Sequence, residues 1–289
     1  MTSGVAWTDD EGRLLTTLWE NVSKDELIRA FPTRSWKTLV EKARLLGLPG
    51  RLFERRERYS PVNQDFFVAW SEAMSYVFGF WFADGWMSQP DKDAQVSFVS
   101  KDKEHLDLIR ELMESQHRIY SRLDACFALT IGGKRLWRGL SHQGGMPAKS
   151  LTAPMPYVPQ VFLRHFVRGF VDGDGYVVWE TSPRRRPVIG ILGGTLFLVE
   201  LARILDQETG VGVAEIRAYD YLSPRVVYSG IKAKALSRWL YADTAIALER
   251  KAMIARQFAE WEPSKFGWKS KAVLTSRMRD LLAGSEVDG

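Results

Sequence analysis

VFGFWFADG (residues 77–85) and VRGFVDGDG (residues 167–175) are two versions of one string. In frame, Gly79 matches Gly169, Ala83 matches Gly173, Asp84 matches Asp174 and Gly85 matches Gly175, which sets the two aspartates 90 residues apart (174 − 84). Small residues stand four apart in each string, Gly79 with Ala83 and Gly169 with Gly173. That spacing is one face of an α-helix, and small residues on a face let two backbones approach closely. The strings therefore predict two helices packed on each other. The glycine ending each one reads as the left-handed residue just past a helix, which leaves each aspartate in the last turn. There the negative end of the helix dipole disfavours a carboxylate by about 0.3–1 kcal/mol. Two acids brought to one place also repel, and a divalent cation that takes carboxylate and phosphate oxygens offsets both costs. Single Asp-Gly turns are common. Two in frame, each with an upstream glycine, predict a paired metal site at Asp84 and Asp174.

Outward from these strings the pattern repeats from residue 63. The first half, 63–159, reads as a helix ending at Gly85, strands near Trp86 and over 95–100, and a helix over 102–115. Strands over 118–123 and 127–131 and a helix from Lys134 follow. The second half, 160–262, reads as a helix ending at Gly175, strands over 176–181 and 188–192, and a helix over 195–209. Strands over 214–221 and 226–231 and helices over 234–241 and 244–261 complete it. The fold class is α+β, with two pseudo-symmetric αββαββα halves. A tail, 263–289, receives no element.

Residues 7–48 read as three short helices forming a small helix-turn-helix domain. Trp7, Leu14, Leu15, Leu18 and Trp19 give the first an apolar face. Ser23 and Glu26 fit a capping box for the second, from Lys24 to about Phe31. Ser35 caps the third, whose Trp36, Leu39, Val40, Ala43 and Leu46 turn inward before Gly47 ends it. Its outward face carries Arg34, Lys37, Thr38, Glu41, Lys42 and Arg44, side chains suited to phosphates and base edges; charged helix faces are also ordinary solvated surface. Residues 49–62, rich in arginine and without apolar periodicity, read as a basic linker.

The paired strings resemble the two signature motifs of the LAGLIDADG homing endonucleases in their single-chain form, and residues 7–48 resemble a Myb-like domain through Trp7, Trp19, Trp36 and the turn around Arg34. The first resemblance implies two halves whose sheets form a saddle over double-stranded DNA, with Mg²⁺ (or Mn²⁺) bound at Asp84, Gly85, Asp174 and Gly175. It implies hydrolysis of one phosphodiester on each strand of a long pseudo-palindromic site, in the service of intron or intein mobility. Lys149 and Lys251 resemble the lysine placed near each scissile phosphate, and Lys101 the polar residue after the second strand. The first motif has Phe82 where the second has Asp172, so Asp172 reads as a helix-end or packing residue.

Alternate strand residues share a face, which assigns Arg118, Tyr120 and Arg122 to one half of a duplex interface and Glu215, Arg217, Tyr219 and Tyr221 to the other. Arg184, Arg185 and Arg186 fit a hairpin gripping phosphates. A net charge of +5 agrees with a polyanionic partner, and 45% hydrophobic residues with 26% charged exclude a disordered chain. One cysteine and four scattered histidines exclude a disulfide framework and structural zinc. No apolar run reaches the roughly 20 residues of a membrane span, so a cytoplasmic monomer is expected. A non-cleaving DNA-binding regulator and an intron RNA maturase remain alternatives on the same fold.

Overall fold

Two nearly all-buried helices stand at the centre of the larger of two compact units, which span Met1–Ser60 and Pro61–Gly289. The computed structural model describes residues 6–19, 22, 24–48, 60–89, 93–122, 125–149, 152–181, 185–219, 222–263 and 275–283. Ser23, Arg184 and Tyr221 lie outside the described residues, as does the linker over 49–59.

In the smaller unit, α1 (Asp9–Leu18), α2 (Lys24–Ala30) and α3 (Trp36–Leu45) enclose Leu15, Trp19, Leu27, Phe31, Leu39 and Ala43. A capping box opens α1: the Glu11 amide donates to Thr8 Oγ1 at 3.1 Å, and the Thr8 amide donates to Glu11 Oε2 at 3.0 Å. Ser35 caps α3 through the Thr38 amide, and Gly47 leaves the helix with φ +68°. Leu14, Val40 and Leu46, expected inside, are exposed because three short helices enclose only one narrow core. Arg34 is the larger correction. Expected on the outward face, it is buried, with Nη2 2.8 Å from Glu11 Oε2 and 2.8 Å from the Ala6 carbonyl. A guanidinium leaves water when a carboxylate and a carbonyl both meet its fork, and here they lie 23 and 28 residues back in the chain.

In the larger unit each half builds a four-stranded antiparallel sheet. β1 (Gly85–Met87), β2 (Gln95–Ser100), β3 (Ile119–Ser121) and β4 (Phe127–Gly132) stand in the order β1-β2-β4-β3. β5 (Gly175–Glu180), β6 (Arg186–Leu192), β7 (Arg217–Tyr219) and β8 (Leu222–Ser229) stand in the order β5-β6-β8-β7. Gly85 pairs with Phe98, and Gly175 pairs with Ile191 at the matching place. The helices are α4 (Glu72–Asp84), α5 (Lys103–Leu112) and α6 (Lys134–His142) in the first half, and α7 (Gln160–Asp174), α8 (Thr195–Thr209), α9 (Ile231–Tyr241) and α10 (Glu249–Gln257) in the second. The helix expected over 244–261 is shorter, with a 3-10 turn at Phe258–Glu260, and the strand expected over 214–221 reaches from Arg217 to Tyr219. Part of the tail forms α11 (Ser276–Ala283), which buries Met278 and takes the Arg238 guanidinium on the Leu281 carbonyl. No helix among the described residues is long and apolar enough to cross a membrane.

α4 is capped by Ser71 through the Met74 amide and is buried at every residue from Met74 to Phe82; α7 is buried from His165 to Asp172. α4 is apolar all round and belongs inside. The close approach is reciprocal. A Cβ on Gly79 would stand 2.0 Å from the Phe166 carbonyl oxygen, one on Gly169 would stand 2.0 Å from that of Tyr76, and one on Gly173 would meet the Ala83 Cβ at 2.4 Å. Around the contact, Phe82 sits 5.5 Å from Phe197 and Phe170 4.3 Å from Phe197, centroid to centroid, so Phe82 is a core residue.

The terminal glycines differ from expectation. Gly85 has φ −95° and Gly175 φ −109°, both extended, because the chain runs from the helix straight into β1 or β5. Glycine is required by space instead, since a Cβ would lie 2.4 Å from the Trp81 carbonyl oxygen at Gly85 and 2.5 Å from that of Val171 at Gly175.

Ala at Gly79 or Gly169 must push two buried backbones apart, and urea unfolding should register a loss of at least about 3 kcal/mol for either variant. Gly132→Ala, whose Cβ would meet nothing within 4 Å, should stay within about 0.5 kcal/mol of wild type. Equal effects at the three positions would refute the close-contact account.

Candidate active site

The last turns of α4 and α7 deliver Asp84 and Asp174 to one place, since a Cβ on Gly173 would stand 3.4 Å from Asp84 Oδ2. Desolvation by the surrounding protein raises the Asp84 carboxyl above its ordinary value, although its side chain keeps contact with solvent. Desolvation first, and the Asp84 charge second, push Asp174 up to about 6. The acids are thus held ready to ionise at a cost that a cation removes.

Two lysines approach the same helix ends. Lys149 Nζ donates to the Gly85 carbonyl at 2.5 Å and the Ala83 carbonyl at 3.5 Å, and stands 4.7 Å from the centre of the Trp81 ring. Lys251 Nζ donates to the carbonyls of Val171 at 2.8 Å, Asp172 at 2.7 Å and Gly175 at 2.6 Å. The last carbonyls of a helix lack partners within it, and an ammonium there satisfies them while opposing the negative dipole end. Burial lowers both lysines to about 8, against the pull of nearby aspartates. The carbonyls of Gly85 and Gly175, positions expected at a metal, each accept from a lysine. Lys149 and Asp174 share a small recess with Ala83, Gly193 and Gly194.

Lys101 is exposed just beyond the end of β2. Asp172 is buried and accepts from the hydroxyls of Tyr76 and Tyr241, each at 2.7 Å, and from the Leu248 amide at 2.7 Å, a packing role as its place in the string suggests. Among the described residues no three His, Cys, Asp or Glu side chains gather as a metal cage, so any cation here rests on the two aspartates together with carbonyls, water or substrate.

On the outer sheet faces, Arg118, Tyr120 and Arg122 are exposed at the edge strand β3, with the Arg118 guanidinium 5.6 Å over the Tyr120 ring. Glu215 and Arg217 are exposed, Glu215 ahead of β7 instead of within it; Tyr219 lies in β7. Arg185 lies 4.0 Å over the Trp179 ring. Arg186 opens β6 and pairs with Glu180 across the strands. In the smaller unit Lys37 and Arg44 are exposed, Thr38 shares a 2.8 Å hydroxyl contact with Ser35, and Lys42 stands 5.4 Å from the Trp7 ring. Selection by charge passed over Trp86, 51% exposed, and the paired hydroxyls of Ser97 and Thr130 at 2.9 Å, all at matched positions of the first sheet. Strand register is the signal that finds them.

An acid whose folded pKa is raised contributes stability that is complete below its unfolded pKa and is lost as pH rises through the folded one. Asp174→Asn, without divalent metal, should therefore stabilise the protein by up to about 3 kcal/mol near pH 7.5, the gain shrinking as pH falls toward about 4. Adding Mg²⁺ should raise the wild-type melting temperature and leave the variant's nearly unmoved. A variant less stable than wild type without metal would sink this account.

No family model matches the chain, and no curated protein matches it in sequence. Three similar solved structures illustrate what the comparison returns. The homing endonuclease I-WcaI bound to its DNA recognition sequence is 11% identical over 73% of this chain and 96% of that one, with a TM-score of 0.48. I-SmaMI bound to uncleaved DNA target in the presence of calcium ions is 13% identical over 75% and 99%, at 0.44. The LAGLIDADG meganuclease I-CpaMI bound to uncleaved DNA is 15% identical over 66% and 90%, at 0.45.

Proposed function

We propose that the protein is a divalent-metal-dependent, site-specific double-strand DNA endonuclease, acting as a monomer at a long pseudo-palindromic site. The observation that carries this reading is the doubled centre: two aspartates at the ends of two contacting helices, each helix end held by a buried lysine. A duplex offers two antiparallel strands with equivalent phosphodiesters, and cutting both calls for two equivalent centres. One chain supplies both by repeating its half, with matched strand order and register. The chemistry of the aspartate pair suits Mg²⁺ or Mn²⁺. Bound there, such an ion would activate water and stabilise the leaving oxygen.

The chain's own groups do the rest. Asp84 and Asp174 hold the cation charge at the junction of the halves. Lys149 and Lys251 place two positive charges beside it, where a phosphate gathering negative charge gains most from fixed donors. The outer faces supply Trp86, Thr130, Tyr120 and Arg118 on one sheet and Arg217 on the other, a mix of hydrogen-bonding, stacking and ionic groups for base edges and phosphates. We further propose that residues 1–48 form a DNA-binding domain that lengthens the contact through Lys37, Lys42 and Arg44, with residues 49–62 as a basic tether and 63–159 and 160–262 as the two halves. Arg34 serves that domain's core.

Cleavage of duplexes drawn from a randomised-site library should require Mg²⁺, stop in EDTA, and fall at least about a hundredfold in Asp84→Asn or Asp174→Asn. Full activity in either variant would refute the assignment, and tight binding without cutting by wild type would favour a DNA-binding regulator. Deleting residues 1–48 should shorten the footprint at one end and flatten the fall of affinity with salt; an unchanged footprint would remove that domain from the interface.

A further inference from the structure

The frame that pairs Asp84 with Asp174 also pairs Phe78 with Arg168 and Phe82 with Asp172. Phe78 and Phe82 lie in an aromatic cluster with Trp70, Trp81 and Phe166. The second half fills the same two places, one helical turn apart, with a fully buried guanidinium and a buried carboxylate. Both reach the segment that joins α9 to α10. Arg168 donates from Nε to the Ile246 carbonyl at 2.8 Å and from Nη1 to the Leu240 carbonyl at 3.0 Å. Asp172 takes the Tyr241 hydroxyl and the Leu248 amide at 2.7 Å each, and the Tyr76 hydroxyl from α4 at 2.7 Å.

Leu248 is the N-cap of α10, and a leucine offers that helix no side-chain cap. Asp172 puts a carboxylate there from another helix, where the positive dipole end favours it. The Lys251 amide donates to the Leu248 carbonyl at 2.9 Å, and the ammonium of Lys251 reaches back to four carbonyls around Asp172. An exposed ion pair between Arg250 and Asp102 at 3.0 Å also touches α10, but an exposed pair contributes less than about 1 kcal/mol. Lys149 follows Ala148, whose φ is +56°, and its carbonyl accepts from the Thr152 and Ala153 amides.

We propose that Asp172, assisted by Arg168, is a positioning residue for Lys251, so that the two centres are unequally held and the clamp serves the cleavage of one strand only. This rests on the endonuclease reading. Fixing the N-terminus of α10 fixes the start of the side chain that carries the ammonium, whereas Phe78 and Phe82, at the matching places of the first half, have no polar group to offer.

The test uses the full chain and a duplex selected from a randomised library by the wild-type protein, labelled on one strand at a time, under single-turnover conditions with Mg²⁺. Lys251→Met identifies the strand served by the second half, and Lys149→Met the other. Asp172→Asn should slow the first strand by about ten- to a hundredfold and leave the second within about twofold, with DNA affinity unchanged. Tyr241→Phe, which removes one donor and keeps the carboxylate, should slow the same strand less, and it carries the comparison if Asp172→Asn does not fold. Amide exchange over residues 248–252 should quicken in Asp172→Asn while exchange over 149–153 does not change. Equal slowing of both strands, slowing of the strand that depends on Lys149, or unchanged exchange over 248–252 overturns the proposal. If wild type cuts no duplex, the endonuclease reading fails by itself, and exchange still decides whether Asp172 holds α10.

Discussion

The contact between α4 and α7 sets everything else in the larger unit. With no side chain at Gly79 and Gly169, the backbone of each helix lies where the other's Cβ would be, 2.0 Å from a carbonyl oxygen in both directions. Such a contact has little freedom to slide, because interiors are packed to the density of organic crystals and a displaced helix meets backbone at once. The two helix ends are thereby fixed to each other. Each end leads directly into the first strand of its sheet, so the same contact also fixes where β1 and β5 begin.

The electrostatics follow from that placement. Two helix C-termini side by side present unpaired carbonyls and two carboxylates, an accumulation of negative charge in partly desolvated space. The lysines answer the carbonyl part and hold positive charge close to the acids, with their own pKa values brought down to about 8 by burial. The carboxylate part is left open on the solvent side at Asp84. A site with part of its charge satisfied internally and the rest turned outward has a use for a hard cation.

Much of this was legible because the sequence states it twice. A repeated string gives frame, and frame gave the helix pair, the matched strands and the pairing of Asp84 with Asp174. Lys149 and Lys251 were legible through resemblance to a family, since no local periodicity marks a lysine as a helix cap. What escaped depends on partners distant in the chain. Arg34 looks like surface until Glu11, 23 residues back, takes its guanidinium. Gly85 and Gly175 look like left-handed caps until one sees that Trp81 and Val171 leave no room for a Cβ. Asp172 was recognised as a packing residue, while Tyr76, Tyr241 and Leu248 lie 96, 69 and 76 residues from it and no spacing rule joins them. Trp86, Ser97 and Thr130 share a face only once strand register is known.

Phe78 and Phe82 in one half, and Arg168 and Asp172 in the other, are two fillings of one pair of sites. Burying two opposite charges in place of two aromatic rings is seldom the more stable choice, because each must be desolvated. The polar filling persists here with each nitrogen and each carboxylate oxygen answered: Arg168 meets two carbonyls and His165, and Asp172 meets two hydroxyls and an amide. Satisfied buried networks of this kind specify one arrangement where an apolar contact tolerates several. A chain that carries both halves is free to make them unequal. The aromatic filling gives this one cohesion between its helices, and the polar filling gives a defined direction to the segment that presents Lys251.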